Sequence, residues 1–486
     1  MPSLSELVEE ARLSARALLD YGDGLFNPTL RLGVTGLSRA GKTVFITALV
    51  HGLTRGGRFP VFESLATGRI AGARLSPQPD DDIPRFAYEE HLRTLIEERR
   101  WPNSTVDISE LRLVIDYQRN NGAERKLTLD IVDYPGEWLL DLPLLNKTYE
   151  EWSAESLALS RRGPRAQLAA AFLAHLATLD PNAPENEQAT LISARLFTDY
   201  LRACRDDRFA MSLLPPGRFL MPGNLAGSPA LTFAPLDLPE GHAQDGSLWA
   251  MMRRRYEAYK DVVVRPFFRD HFSRLDRQIV LVDALSAFNA GPEALHDLEA
   301  ALAGILDCFR IGRSTILSAL FRPRVDRILF AATKADHLHH LSHDRLEAVL
   351  RRTVSKAVAR SELTGAAVDV VALAAVRATK EALVQRGHEK LPSIIGTPAK
   401  GELANGEAFD GETEVATFPG DLPTDLDRLF EGGAFRGLST DAADKADYRF
   451  LRFRPPLLER NGNEEPALPH IRLDRALQFL IGDRLQ

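Results

Sequence analysis

Apolar positions along the chain follow two periods. Short, nearly continuous apolar runs bounded by turn residues predict strands at Leu30 to Thr35, Ile108 to Asp116, Lys126 to Val132, Arg277 to Asp283, Asp326 to Ala332 and Val368 to Leu373. Asn120-Asn121-Gly122 predicts a hairpin turn between the second and third of these. Helical spacing recurs elsewhere. Leu4, Leu7, Val8, Ala11, Ala15 and Leu18 stripe an amphipathic helix over residues 3–21, which Ser3 and Glu6 start with a capping box. Further helices are expected at Val44 to Val50, Phe86 to Arg100, Tyr149 to Arg161, Pro164 to Leu179, Gln188 to Arg205, Leu248 to Phe272, Glu293 to Phe309, Asp344 to Arg360 and Ile471 to Leu485. Trp101-Pro102 stops the second of these. The Gly-, Pro- and Arg-rich stretch up to Asp82 reads as loops and short pieces, and Leu213 to Glu240 as a long loop. Beyond Lys380 a Gly-, Pro- and acid-rich stretch reads as an irregular or β-hairpin appendage, with a candidate strand at Tyr448 to Arg454.

Strand and helix alternate, give way to helices alone, then alternate again. That order predicts an α/β protein with a mostly parallel sheet, a large helical insertion and a C-terminal appendage. The expected division is an N-terminal helix (1–29), a first part of the sheet domain (30–138), the insertion (139–275), the second part of that domain (276–380), and the appendage with its terminal helix (381–486). A chain of 486 residues is too long for one ordinary core, and the insertion is long enough for a small core of its own. The terminal helix is expected to pack back on the sheet.

Composition narrows the class. Hydrophobic content of 44% and charged content of 26% suit a globular, soluble chain. A net charge of −7 gives no global drive towards nucleic acid or anionic lipid, so no nucleic-acid partner is expected. Arg253-Arg254-Arg255 reads as a solvated helix face, since acidic residues follow closely. Two distant cysteines, Cys204 and Cys308, suit a reducing compartment. The opening residues have neither a basic start nor an apolar core, so no secretory signal is expected, and no apolar stretch is long enough to span a bilayer. A cytoplasmic location is expected.

Candidate chemistry lies at the strand ends. Gly36 to Thr43, GLSRAGKT, fits G-x-x-x-x-G-K-[ST] between a strand and a helix. Gly36, Ser38, Arg39, Ala40 and Gly41 form the turn; its glycines let backbone N–H groups face phosphates, and the helix N-terminus adds partial positive charge. Lys42 would meet the β- and γ-phosphates, and the Thr43 hydroxyl would ligate Mg²⁺. Asp133-Tyr134-Pro135-Gly136 fits D-x-x-G one hairpin later: Asp133 would hold Mg²⁺ through water, and the Gly136 N–H would register the γ-phosphate. Thr105 is the candidate switch hydroxyl for Mg²⁺; its neighbour Ser104 is not separated from it, and a solvated loop threonine is the plain alternative. Thr333-Lys334-Ala335-Asp336 fits [NT]-K-x-D at a strand end. Asp336 would accept the ring N–H and exocyclic amine of guanine, a pair adenine lacks, and Lys334 would lie over the base. Ala375 and Val376 stand where a backbone N–H would meet the guanine oxygen, although Ala374 replaces the usual Ser. His337, His339, His340 and His343 read as surface residues rather than a metal site.

GLSRAGKT, DYPG with Glu137-Trp138, the VLVDAL strand, TKAD and the tail PHIRLDRALQFLIGDRL together resemble the YcjX family of P-loop GTPase-like stress proteins over most of the chain. The resemblance implies a Ras-like nucleotide domain, GTP or GDP with Mg²⁺ as cofactors, and a role in envelope or heat stress beside a membrane-protein partner at the inner membrane. The expected activity is slow GTP hydrolysis with Lys42 and Glu137 as candidate catalytic residues, quickened by a protein activator. Glu137 occupies the position where Ras-like enzymes orient water with Gln, and a carboxylate facing phosphate is electrostatically poor unless protonated, turned away or acting through water. Arg39 could reach a phosphate in cis or pair with an acidic neighbour. A nucleotide-gated binding module with little hydrolysis and an ATPase remain the alternatives.

Overall fold

The computed structural model describes residues 28–37, 39–103, 105–308, 325–362, 366–386, 388–404, 407–420, 422, 450–458 and 466–486. The expected N-terminal helix, Ser38 and Ser104 lie outside them, as do Tyr448 and most of the stretch before it.

The apolar runs assemble into one sheet. Its strands are β1 (Thr29–Gly36), β2 (Ile70–Ser76), β3 (Ser109–Gln118), β4 (Glu124–Asp133), β5 (Arg277–Val282), β6 (Arg327–Ala332) and β7 (Ala367–Ala372), in the order β2-β3-β4-β1-β5-β6-β7. β1 is central and runs parallel to β4 and β5, which continue parallel through β6 and β7. β2, β3 and β4 pair antiparallel, and Gly122 at φ 83° makes the β3–β4 turn. β2 is the departure from the expected loops up to Asp82. Its residues are half-buried or exposed, so no apolar period marks it; pairing with β3 makes it an edge strand.

Alternate residues of the inner strands feed two cores. On one face Leu32, Val34, Ile131, Leu281 and Leu329 pack under helix α1 (Lys42–Arg55), through Phe45, Ile46 and Leu49, and under the terminal helix α2 (Leu473–Ile481), through Leu477 and Leu480. Arg277 fastens that terminal helix to the sheet by donating to Leu480 O at 3.1 Å and pairing with Asp483 at 2.8 Å. On the other face Val132, Val280, Val282 and Phe330 meet the helices Pro292–Cys308 and His343–Glu362, and the segment between β4 and β5. Each such side chain removed from water contributes about 1.5–3 kcal/mol before entropy is counted.

The segment between β4 and β5 is helical, as its spacing predicts, but its core is continuous with the sheet. Trp152 stacks on Tyr256 with ring centroids 5.2 Å apart and meets Phe233 edge-on at 5.4 Å. The same apolar cluster runs through Trp138 and Phe267 to Tyr134 at the end of β4. Two expected helices are interrupted. Residues 164–179 divide into Gly163–Leu168 and Ala170–Leu176, and residues 248–272 contain a π-turn, Lys260–Val264. In that turn Lys260 reaches Lys147 O at 3.0 Å. Beyond β7, strands β8 (Lys380–Arg386), β9 (Glu389–Gly396) and β12 (Val415–Thr417) form a small antiparallel sheet, the order being β12-β9-β8, with β10 (Leu403–Ala404) and β11 (Glu407–Ala408) pairing between β9 and β12 in the chain. Residues 450–454 run beside it without forming a strand; Phe453 only bridges Pro398.

Candidate functional site

The chain turns from β1 into α1 through two left-handed residues, Arg39 at φ 59° and Gly41 at φ 83°. This curls the backbone round the N-terminus of α1. Gly136 must be glycine: a Cβ there would lie 1.9 Å from Gly36 O. The start of the P-loop and the D-x-x-G turn are therefore in backbone contact.

At this end the polar side chains converge. Lys42 is buried, with Nζ 3.5 Å from Gly36 O. The Thr43 and Thr105 hydroxyls lie 3.3 Å apart, and Thr105 donates to Asp133 Oδ2 at 2.6 Å. Asp133 Oδ1 is buried with no hydrogen-bond partner among the described residues. Burial pushes the Asp133 carboxyl up to about 6, against the opposing pull of Lys42 and the Thr105 hydrogen bond. Two hydroxyls and a carboxylate oxygen lacking a donor make a hard oxygen set, which fits Mg²⁺.

The TKAD segment follows β6. Thr333 Oγ1 donates to Val282 O at 3.3 Å, and Lys334, left-handed at φ 61°, pairs through Nζ with Asp283 at the end of β5. Ser286 donates to the same carboxylate, from its N–H at 3.1 Å and its hydroxyl at 2.6 Å. Burial raises the Asp283 pKa, but Lys334 and Ser286 outweigh it and hold the carboxyl below its ordinary value. Asp336 is buried, and its Oδ2 accepts the Ala378 N–H at 2.8 Å. Its backbone carbonyl accepts the Thr379 hydroxyl.

Arg39, Ala40, Gly41, Lys42, Thr43, Thr105, Thr333, Lys334, Asp336, Ala375 and Val376 line one cavity of about 380 Å³. Gly36, Asp133 and Gly136 do not line it; Asp133 reaches it through Thr105, and Gly136 lies against Gly36. Glu137 is turned away: it pairs with Arg205 of the inserted segment at 3.4 Å. Next to it, Arg218 stacks over the Trp138 ring at 3.1 Å from its centre, which ties this turn to the insertion. Arg39 pairs with Asp207, the acidic-neighbour alternative.

Several cavity residues carry no motif. Trp101, Asn103, His337, Arg452 and Phe453 also line it. Trp101 Nε1 donates to Phe453 O at 2.6 Å, and Phe453 meets the His337 ring edge-on at 5.4 Å. The sequence read Trp101-Pro102 as a helix stop, His337 as a surface residue and Arg452-Phe453 as part of a strand, and none of these readings pointed to the cavity. The histidine expectation needs correction. His337, His339 and His343 are buried, His337 against the Phe453 ring and His343 with its ring 3.3 Å from Leu338 O, and of the four only His340 is exposed. Nitrogens of His339 and His340 and a carboxylate oxygen of Glu381 lie within 4.8 Å of one another. His340 Nδ1 bonds Glu381 at 2.6 Å, and Arg377 also pairs with that carboxylate at 3.2 Å. Among the described residues no helix is long and apolar enough to cross a membrane.

Comparison with known proteins agrees with the motif set. Residues 30–485 match the model of the YcjX-like family, DUF463. The chain is 38% identical over 478 residues to a protein of Escherichia coli (strain K12) named Ras-like GTPase YcjX, covering 94% of this chain and 96% of that one. It is 35% identical over 491 residues to the protein of that name in Shewanella oneidensis, covering 94% and 95% respectively. A family match along nearly the whole chain, two relatives at this identity and a P-loop sheet with its motifs around one cavity lead to one statement: the chain belongs to the YcjX-like family.

Proposed function

We propose that the protein binds GTP with Mg²⁺, hydrolyses it slowly and acts as a regulatory switch. The observation that carries this reading is the single cavity that holds the P-loop at one end and Asp336 with Ala375 and Val376 at the other. Two relatives named Ras-like GTPase support it. Lys42 and the P-loop amides would neutralise charge on the β- and γ-phosphates. Thr43, Thr105 and Asp133 would hold Mg²⁺, which supplies charge neutralisation at the phosphates. Asp336 retains acceptor capacity for the guanine N–H groups beside its bond to Ala378. A stress-linked role, a cytoplasmic site of action and a protein effector at the inner membrane accompany this reading as the family resemblance implies them.

A second reading has its own observation. Glu137 is engaged by Arg205, so it does not orient water in this arrangement, and the protein could act as a nucleotide-gated binding module with little turnover. One experiment addresses both: nucleotide binding and phosphate release by the purified chain, GTP against ATP, with and without Mg²⁺. Preferred, Mg²⁺-dependent GTP binding with slow release supports the switch. Tight GTP binding without release supports the module. Preference for ATP overturns the guanine assignment.

A further inference from the structure

We propose that Arg39 is a catalytic arginine built into the P-loop, and that Asp207 of the inserted segment holds it away from the γ-phosphate. The proposal rests on the GTPase reading above. Three observations carry it. Arg39 sits inside the phosphate-binding turn itself, and its left-handed backbone places its side chain where two adjoining cavities meet. One is the nucleotide cavity. The other, about 260 Å³, lies between the P-loop and the insertion and is lined by Arg205, Asp207, Asp283 and Arg452 among others. Second, Asp207 takes Arg39 and, at 3.3 Å, Arg452 of the C-terminal segment, which Glu402 holds at 2.6 Å from its other side. Thus one carboxylate from the insertion clasps cations from two distant parts of the chain. Third, the other polar candidate is occupied, since Glu137 is bound to Arg205, two residues before that same carboxylate.

The physical case is a competition. Arg39 and Asp207 each keep about half of their side-chain surface, 54%, in water. An ion pair so exposed is weak and exchangeable. A triphosphate gathers more negative charge than one carboxylate, and charge accumulates on its γ-oxygens as the transition state forms, so a guanidinium released from Asp207 is worth most at that moment. In the step, the water oxygen bonds to the γ-phosphorus as the bond to the β–γ bridging oxygen breaks. The electron pair stays on the β-phosphate of GDP, and the water proton passes to the departing phosphate. Arg39 would neutralise the bridging and γ-oxygens, and no further co-reactant is needed. A partner that moves the insertion would thereby control turnover without entering the nucleotide cavity.

The test is a double-mutant cycle on the full chain, reading GTP turnover, GDP affinity and the affinity of GDP for the protein in the presence of aluminium fluoride, which mimics the transferring phosphoryl group. Asp207→Asn is expected to raise kcat about tenfold. Arg39→Ala is expected to lower it about a hundredfold, leave GDP affinity within a few-fold and abolish the fluoride-enhanced binding. The double variant is expected to match Arg39→Ala, and Arg39→Lys to restore less than a tenth of the lost rate, since an ammonium lacks the planar fork. Unchanged turnover in Asp207→Asn, or a double variant that keeps the gain, overturns the proposal. So does an Arg39→Ala protein that loses GDP affinity and kcat stays as before, which would make Arg39 a binding residue. Failure of the wild-type protein to bind GDP or GTP would instead overturn the GTPase reading, and Arg39 with it.

Discussion

Two aspartates stand at strand ends on either side of β1, Asp133 as the last residue of β4 and Asp283 just after β5, and the protein treats them oppositely. Both carboxyl groups are largely out of water: Asp133 is a buried residue, and 6% of the Asp283 side chain is exposed. Asp133 is pushed up to about 6, while Asp283 is held below its ordinary value. The difference lies in partners. Asp283 has Lys334 and two donors from Ser286. Asp133 has one hydroxyl, a more distant Lys42, and one oxygen without a donor among the described residues. The end of the cavity proposed for the base is therefore built in advance from its own charges. The end proposed for the phosphates leaves a buried carboxylate oxygen without a donor, and the missing positive charge is what the proposed Mg²⁺ would supply.

The comparison can be broken most severely at the phosphate end. Lys42→Ala is expected to weaken GTP binding by at least about a hundredfold, measured by titration of a fluorescent guanine nucleotide, while the fold survives. Near-normal binding would mean that the P-loop is not the phosphate site. At the base end, Asp336→Asn should cost about ten- to a hundredfold in GTP affinity and improve xanthine nucleotide binding, because an amide offers a donor to the xanthine carbonyl where a carboxylate repels it. Equal loss for both bases would remove Asp336 from the base site.

A third change sharpens the contrast between the two carboxylates. The Asp133 pKa is raised on folding, so in the absence of nucleotide its contribution to stability is fully present below pH 4 and falls as pH rises through about 6. Asp133→Asn should consequently stabilise the nucleotide-free protein at pH 7 by on the order of 2 kcal/mol and flatten this part of the pH–stability curve, with Asp141, also at about 6, left as the residual slope. The same variant should lose Mg²⁺-dependent nucleotide binding, and in the wild type that binding should weaken below pH 6 as Asp133 protonates. Thermal unfolding across pH 4–8 reads the first effect and nucleotide titration the second. Lys334→Ala should do the reverse to Asp283: its pKa rises, and the nucleotide-free protein loses about 1–2 kcal/mol, less than a fully buried pair because 30% of the lysine side chain is in water. The smallest effect is expected at His340, where replacement by Ala should change stability by about 0.5 kcal/mol or less, since its bond to Glu381 is solvent-exposed.

Much of this was readable along the chain, for a local reason. A phosphate loop needs glycines, a lysine and a hydroxyl within eight consecutive residues, and its neighbours in sequence are its neighbours in space. The strands of the parallel half were equally plain, since burial on both faces leaves continuous apolar runs such as Ile279 to Val282. Edge strand β2 was not, because a strand that buries little carries no period. Arg452 and Phe453 carried only the signal of a candidate strand, and nothing in it pointed to the cavity. They reach the cavity only because Trp101, more than three hundred residues earlier, bonds the Phe453 carbonyl and the appendage folds over His337.

The sequence by itself determined the family, the sheet-and-helix plan and the residue types at each strand end, because each is set by short-range spacing and by chemistry that admits few substitutes. The tertiary structure alone decided which of those residues stand together and in what electrostatic state. It bound Glu137 to Arg205 and Arg39 to Asp207, it buried His337, His339 and His343, and it shifted the proton affinities of two aspartates at strand ends in opposite directions. Burial and charge pairing are sums over contacts distant in sequence, so they exist only once the chain has closed on itself.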